Sequence, residues 1–189
     1  MKRRLANLLI VLGVVLLCLS LSLCIYNFSQ NYYASQKSND VVMQLEERID
    51  NTSQVQEPAK ATNAIIDGNQ YMGYLSFPSL NLKLPVMEHW DYAKLKVSPC
   101  HYYGSVERGN FVVMAHNYAS HFGKISKLNM DDKVFFTDLN GNVTEYQVVA
   151  RDVLNPYSAK EVKNSGYPLT LFTCTYGGQS RVVVYCSEL

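Results

Sequence analysis

Charge is what this sequence has least of. Only 17% of its 189 residues are Asp, Glu, Lys or Arg, and the signs nearly cancel, 17 basic against 16 acidic. Three of the basic residues, Lys2, Arg3 and Arg4, precede the first apolar run, and without them the balance is 14 to 16. Nucleic-acid binders cluster Lys and Arg on one face, so that class of partner is excluded. A glycine-rich phosphate loop, an internal repeat and a low-complexity tract are also absent. The chain is not short of apolar residues, at 48%, which rules out a disordered protein. Fourteen tyrosines favour β structure, because aromatic rings suit a pleated, half-buried surface.

The longest stretch without charge is Leu5 to Ile25, 21 residues. As a helix it spans about 30 Å, the thickness of a bilayer core. Cations precede it and none follows until Lys37, so the positive-inside rule leaves residues 1–4 as a cytoplasmic tail and places the rest outside. A cleaved signal peptide has a shorter apolar region and a small-x-small site behind it; "CIYNFSQ" offers none. Leucine precedes both Cys18 and Cys24, where a lipoprotein has a small residue. The expectation is an uncleaved transmembrane anchor over 5–25.

Residues 26–38 are polar and aromatic, as at a headgroup layer. Val41, Val42, Leu45 and Ile49 then recur at helical spacing, with Asn39 or Asp40 positioned to cap a short amphipathic helix. Residues 51–63 have linker composition. An extracellular stalk is therefore expected over 26–66, and a folded domain over 67–189. That domain reads as seven or eight short strands at turn-like spacing, among them 110–116, 143–154 and the pair "PLTLFTC" and "SRVVVYCSE". Pro78 and Pro85 mark sheet edges or turns. The few helical segments lie in connections, so the domain is all-β, a sandwich or a closed barrel.

The last two strands are joined by "TYGGQ", whose glycines allow a tight turn. A register with Cys174 opposite Arg181, Thr173 opposite Val182 and Phe172 opposite Val183 puts Cys174 and Arg181 on one face. Leu169, Leu171, Val184 and Cys186 then line the other face as core. A cation beside a thiol favours the thiolate, and an arginine also stabilises a developing oxyanion. Nucleophilic cysteines take a histidine partner, and His89, His101, His116 and His121 are all candidates. Cys100, after Pro99, reads as structural, and Cys174 is expected to be a free thiol.

Three segments in order resemble the sortases, membrane-anchored cysteine transpeptidases of Gram-positive cell surfaces. "TLFTC" (170–174) is similar to the family's Thr-Leu-x-Thr-Cys, with Arg181 at the usual short distance beyond. "FVVMAHNY" is similar to the strand that ends in the catalytic histidine, which selects His116; the family's preceding glycine is Ala115 here. "GYLSFPSLNLKLPV" (73–86) resembles the opening strands. Residues 155–166 are too few for the helix that class B members insert, and no Asp-Pro-aromatic lid of class C precedes the domain. Class D is the loose subclass match.

The resemblance implies a closed eight-stranded barrel behind a transmembrane helix. It implies that Cys174 attacks the threonine carbonyl of a Leu-Pro-x-Thr-Gly-like signal on a secreted protein, and that His116 protonates the leaving amine. Arg181 binds substrate or the oxyanion together with a backbone N–H near Thr175, and Thr173 shapes the site. A peptidoglycan precursor or another amine resolves the thioester, and no cofactor is needed. Two other readings stand beside this one. A zinc site would draw Cys100, His101, His116 and Cys174 together, although adjacent Cys–His ligands lack the usual spacing. A tethered, non-catalytic surface-binding module would keep the barrel and need none of the three catalytic side chains.

Overall fold

The structure, a computed structural model, describes residues 2–53 and 63–189. It divides into two compact units, residues 1–33 and Ala34–Leu189.

The first unit is helical, part of α1 (Lys2–Ser53). Its apolar side chains lie bare, from Leu8 through Leu17 to Ile25. The helix is long and apolar enough to cross a membrane, and fully exposed leucines are stable only in an apolar surrounding.

The second unit begins with the rest of α1. The helix runs unbroken through residues 26–38, so Asn39 and Asp40 lie within it rather than at a cap. The physical reason is plain in the sequence: that stretch has no proline or glycine to stop a helix already started. Val41, Val42, Leu45 and Ile49 are all buried, as their spacing predicts. Val41 and Leu45 pack with Ala64, Ile66, Tyr71, Met87 and Leu95. Lys37 pairs with Asp67 at 2.9 Å and Lys83 pairs with Glu46. These exposed ion pairs fix register more than they stabilise. Residues 54–62 of the expected linker lie outside the described residues.

Nine strands follow among the described residues: β1 (Ala64–Ile66), β2 (Asn69–Phe77), β3 (Leu82–Met87), β4 (Cys100–Tyr103), β5 (Phe111–Ala115), β6 (Lys133–Asp138), β7 (Val143–Leu154), β8 (Leu169–Cys174) and β9 (Arg181–Glu188). Neighbours run β2-β3-β4-β5-β8-β9-β7-β6, and β6 pairs back onto β2. The result is a closed eight-stranded barrel, with β1 as a short hairpin arm on β2. Short α2 (Tyr92–Leu95), α3 (Ala159–Lys163) and two 3₁₀ turns, Pro78–Leu80 and Phe122–Lys127, occupy connections. Closure needs Gly73. It sits at φ +148° between β3 and β6, and a Cβ there would fall 2.1 Å from the Thr137 carbonyl oxygen.

Pro85 lies inside β3, opposite Tyr74, rather than at a break. Its missing N–H is tolerated because the other edge of β3 meets β4 only at Met87. The barrel interior is filled by fully buried residues such as Leu75, Phe77, Phe111, Val134, Leu171 and Val184. Two of the three cysteines on the barrel strands are buried, Cys186 in this interior and Cys100 in the cluster under α1. Burial pushes each of these thiols up to about 12.

Removing the Leu45 side chain empties a fully buried site at the contact of α1 with the barrel. We expect Leu45→Ala to lower the unfolding free energy by about 3 kcal/mol, measured by urea denaturation. A loss below about 0.5 kcal/mol, the size of a surface substitution, would contradict that packing.

Candidate active site

Three adjacent strands build the site. Strands β5 and β8 are parallel, with Ala115 opposite Thr173; strands β8 and β9 are antiparallel, with Cys174 opposite Arg181. The hairpin register is the one taken from the sequence as a starting assumption, down to Thr173 opposite Val182 and Phe172 opposite Val183. His116 and Cys174 therefore leave neighbouring strands at the same level, one residue beyond a paired position. Thr173 fastens that level: its buried hydroxyl donates to the Ala115 carbonyl at 2.8 Å.

His116, Thr173, Cys174 and Arg181 all line one cleft of about 200 Å³. Its far wall is aromatic and apolar. Trp90 and Tyr92 meet edge to face with ring centres 6.1 Å apart, Trp90 lies 5.7 Å from Tyr102, and Tyr102 lies 5.1 Å from Phe172. Lys163 of α3 places its ammonium 5.1 Å from the Tyr102 ring, tying the β7–β8 connection to β4. A second cleft of about 260 Å³ reaches Thr173 and Cys174 from the Asn117, Gly123 and Tyr176 side. Cys174 is half-buried and is a free thiol.

Arg181 does not point idly into solvent. Its Nη1 donates to the carbonyls of Gly178 (3.0 Å) and Ser180 (3.1 Å), in the loop between β8 and β9. The same loop employs Thr175. An oxyanion donor is expected near Thr175; the Thr175 N–H donates to the Ser180 carbonyl at 2.9 Å, and the Ser180 N–H donates to the Thr175 hydroxyl at 3.0 Å. In this conformation that N–H closes the hairpin loop and is not offered to a ligand.

The four histidines separate cleanly. His89 is exposed. His101 is held by the Gly104 carbonyl, 2.8 Å from Nε2, and by the Phe111 ring. His116 lines the cleft, and partial burial together with the Lys96 charge holds its imidazole below the ordinary value of 6.5. His121 is fully buried. Neither of its ring nitrogens finds a hydrogen-bond partner of good geometry among the described residues. Desolvation, then the His116 charge, push it down to about 4, the Val97 backbone opposing only in part. Cys100 is sealed beneath α1, with its thiol against the Ser98 carbonyl. Among the described residues no three His, Cys, Asp or Glu gather as a metal site would require.

Sequence reasoning missed the aromatic wall. Trp90 and Tyr92 sit in and beside a loop, and Tyr102 sits on a four-residue strand. Their signal was the aromatic density of "HWDY" and "HYY", which composition alone does not assign to a face.

A barrel with a cysteine, a histidine and an arginine on three neighbouring strand ends can now be set beside known proteins. The family model described as "Sortase domain" matches residues 75–189, and the chain belongs to the sortase family. It is 27% identical over 163 residues to Sortase A of Bacillus anthracis, a match covering 78% of this chain and 77% of that protein. Among solved structures it is similar to the sortase D5 transpeptidase of Clostridium perfringens, with a TM-score of 0.62 and 18% identity over 82% of this chain and 99% of that one. It is also similar to sortase C of Clostridium perfringens, whose structure includes the C-terminal cell wall sorting motif, with a TM-score of 0.56 and 25% identity over 79% and 90% of the two chains.

Two titrations test the electrostatics. Removing the neighbouring positive charge in Lys96→Gln relieves the pressure on the imidazolium, so the NMR titration midpoint of His116 should rise; a midpoint that stays or falls contradicts the assignment of Lys96. For His121 the folded value lies below the unfolded 6.5, so the unfolded chain binds more protons in between. Stability is full above about pH 6.5 and is lost as pH falls toward about 4, by on the order of 3 kcal/mol. His121→Phe should flatten that slope in urea titrations; an unchanged slope would assign the acid sensitivity elsewhere.

Proposed function

We propose that this protein is a cysteine transpeptidase that cleaves a Leu-Pro-x-Thr-Gly-like signal after threonine and passes the acyl group to an amine. The observation that carries the reading is the meeting of Cys174, His116 and Arg181 in one cleft. The Cys174 thiolate adds to the threonine carbonyl, and the Arg181 guanidinium steadies the oxyanion as it forms. As the C–N bond breaks, His116 gives its proton to the departing amine, leaving a thioester on Cys174. An incoming primary amine attacks that thioester while His116 takes up its proton. Collapse releases the amide product and restores the thiolate and the imidazolium.

The aromatic wall suits the apolar leucine and proline of such a signal, since it offers a broad apolar surface of aromatic rings. Thr173 contributes by holding β8 to β5, and so Cys174 level with His116. The Thr175 hydroxyl supports the loop that carries the carbonyl partners of Arg181. The apolar helix over 5–25 serves as a single-pass anchor with a cytoplasmic tail at residues 1–4, a stalk over 26–66 and a catalytic domain over 67–189 outside the cell. Secreted proteins bearing a C-terminal sorting signal are the acyl donors, and a peptidoglycan precursor amine is the acceptor.

The test is turnover of a quenched Leu-Pro-x-Thr-Gly peptide by the full-length protein in detergent, alongside a thiol-specific alkylator. We expect cleavage with wild type, none with Cys174→Ala, and a loss of at least about a hundredfold with His116→Ala. Alkylation should reach Cys174 long before the buried Cys186. Absence of cleavage across a panel of sorting peptides, with Cys174 no more reactive than Cys186, would leave a surface-binding module instead.

A further inference from the structure

The loop that follows His116 is built with more care than a passive connection needs. The Phe122 N–H donates to the His116 carbonyl at 3.1 Å, and the His121 and Gly123 N–H groups both donate to the Tyr118 carbonyl at 2.9 Å. Gly123 has no room for a side chain: a Cβ would lie 2.5 Å from the Asn117 carbonyl oxygen and 2.7 Å from that of Tyr118. Phe122 anchors the far end in the barrel interior, edge to face with Phe77. The turn is thereby fixed at both ends, and its rings have fixed places.

Those rings form a chain. The Tyr118 ring stacks on the His116 imidazole with centres 5.0 Å apart and planes 26° apart. It also meets the His121 imidazole at 5.4 Å and 38°. Tyr118 is half-exposed, so its phenol is not there to fill core. His121 is the odd member. A fully buried imidazole with no well-formed hydrogen bond at either nitrogen costs stability that a phenylalanine would not. Local departures from best packing gather where a fold serves chemistry, and this one lies under the catalytic histidine.

We propose that Tyr118 is a positioning residue for the reaction. Its ring face, in a turn where the same ring also meets buried His121, holds the His116 imidazole in the orientation that serves Cys174. A histidine at a strand end has two soft side-chain torsions, and its ring plane is otherwise free to swing. A parallel ring at stacking distance removes that freedom without supplying a charge or competing for the ring nitrogens. His116 keeps both nitrogens for proton transfer to and from the departing and incoming amines. The inference rests on the Cys174–His116 reading above, and it gives a role to a residue that closes the segment "FVVMAHNY" but does not line the cleft.

The experiment compares Tyr118→Leu and Tyr118→Phe with wild type in the full-length protein, by steady-state cleavage of the sorting peptide and by the NMR shifts of the His116 ring protons. Losing the ring should lower kcat about tenfold while KM stays within about twofold, the pattern of a misaligned group rather than a lost binding contact. Tyr118→Phe restores the ring face and should restore kcat to within about twofold of wild type. The His116 protons should lie upfield in wild type and Tyr118→Phe, and move downfield in Tyr118→Leu. Unchanged kcat in Tyr118→Leu, or a Tyr118→Phe as slow as Tyr118→Leu, overturns the proposal. A wild-type protein that cleaves no peptide defeats the transpeptidase reading instead, and the proton shifts then still report whether the rings stack.

Discussion

The site depends on one seam, the parallel pairing of β5 with β8. Parallel strands cannot be joined by a tight turn, and here residues 116–168 intervene between the partners. Nothing local therefore holds His116 beside Cys174. Their common level comes from five paired positions along the seam, ending at Ala115 opposite Thr173, and from the Thr173 hydroxyl on the Ala115 carbonyl. A slip of one residue would turn Cys174 to the opposite face of the sheet. The apolar interior resists that slip, because Leu169 and Leu171 would leave the core with it. Burial thus fixes the register, and register fixes the chemistry.

The antiparallel hairpin adds the third group by a purely local route. The hairpin register sets Arg181 opposite Cys174, alternation keeps the pair on one face, and the turn glycines allow the short connection. This contrast explains what could be read in the residues. The burial of Cys186 and the helical face of Val41, Leu45 and Ile49 rest on period and neighbour chemistry, and each stands as the sequence predicts; the β8–β9 register had to be assumed, and the strands pair in it. The choice of His116 rests on a non-local pairing. Four histidines were open from the residues alone, and only the family resemblance selected among them.

Other features were illegible for definite reasons. Strands β1 and β4 have three and four residues, too few for alternation to register. Pro85 argued for a break, yet the neighbouring strand touches β3 at a single position, so no ladder bond was lost. The continuity of α1 was hidden by the change from apolar to polar composition near residue 26, which alters a helix's surroundings and not its propensity to continue. The resemblance implied an oxyanion donor near Thr175, and the Thr175 N–H itself is taken by the Ser180 carbonyl of its own loop.

That loop has a consequence for how a ligand is held. Arg181 already satisfies Nη1 with two backbone oxygens, so a ligand oxygen arriving there through Nη1 replaces an existing partner rather than filling an empty one. Exchanging one neutral acceptor for another returns little net free energy. On the transpeptidase reading proposed above, grip would then come from the rings of Trp90, Tyr102 and Phe172, which would lose water against an apolar chain, while the guanidinium would supply aim. It would act strongly only when the incoming oxygen is more negative than an amide, and that difference, rather than ground-state affinity, is what speeds a reaction.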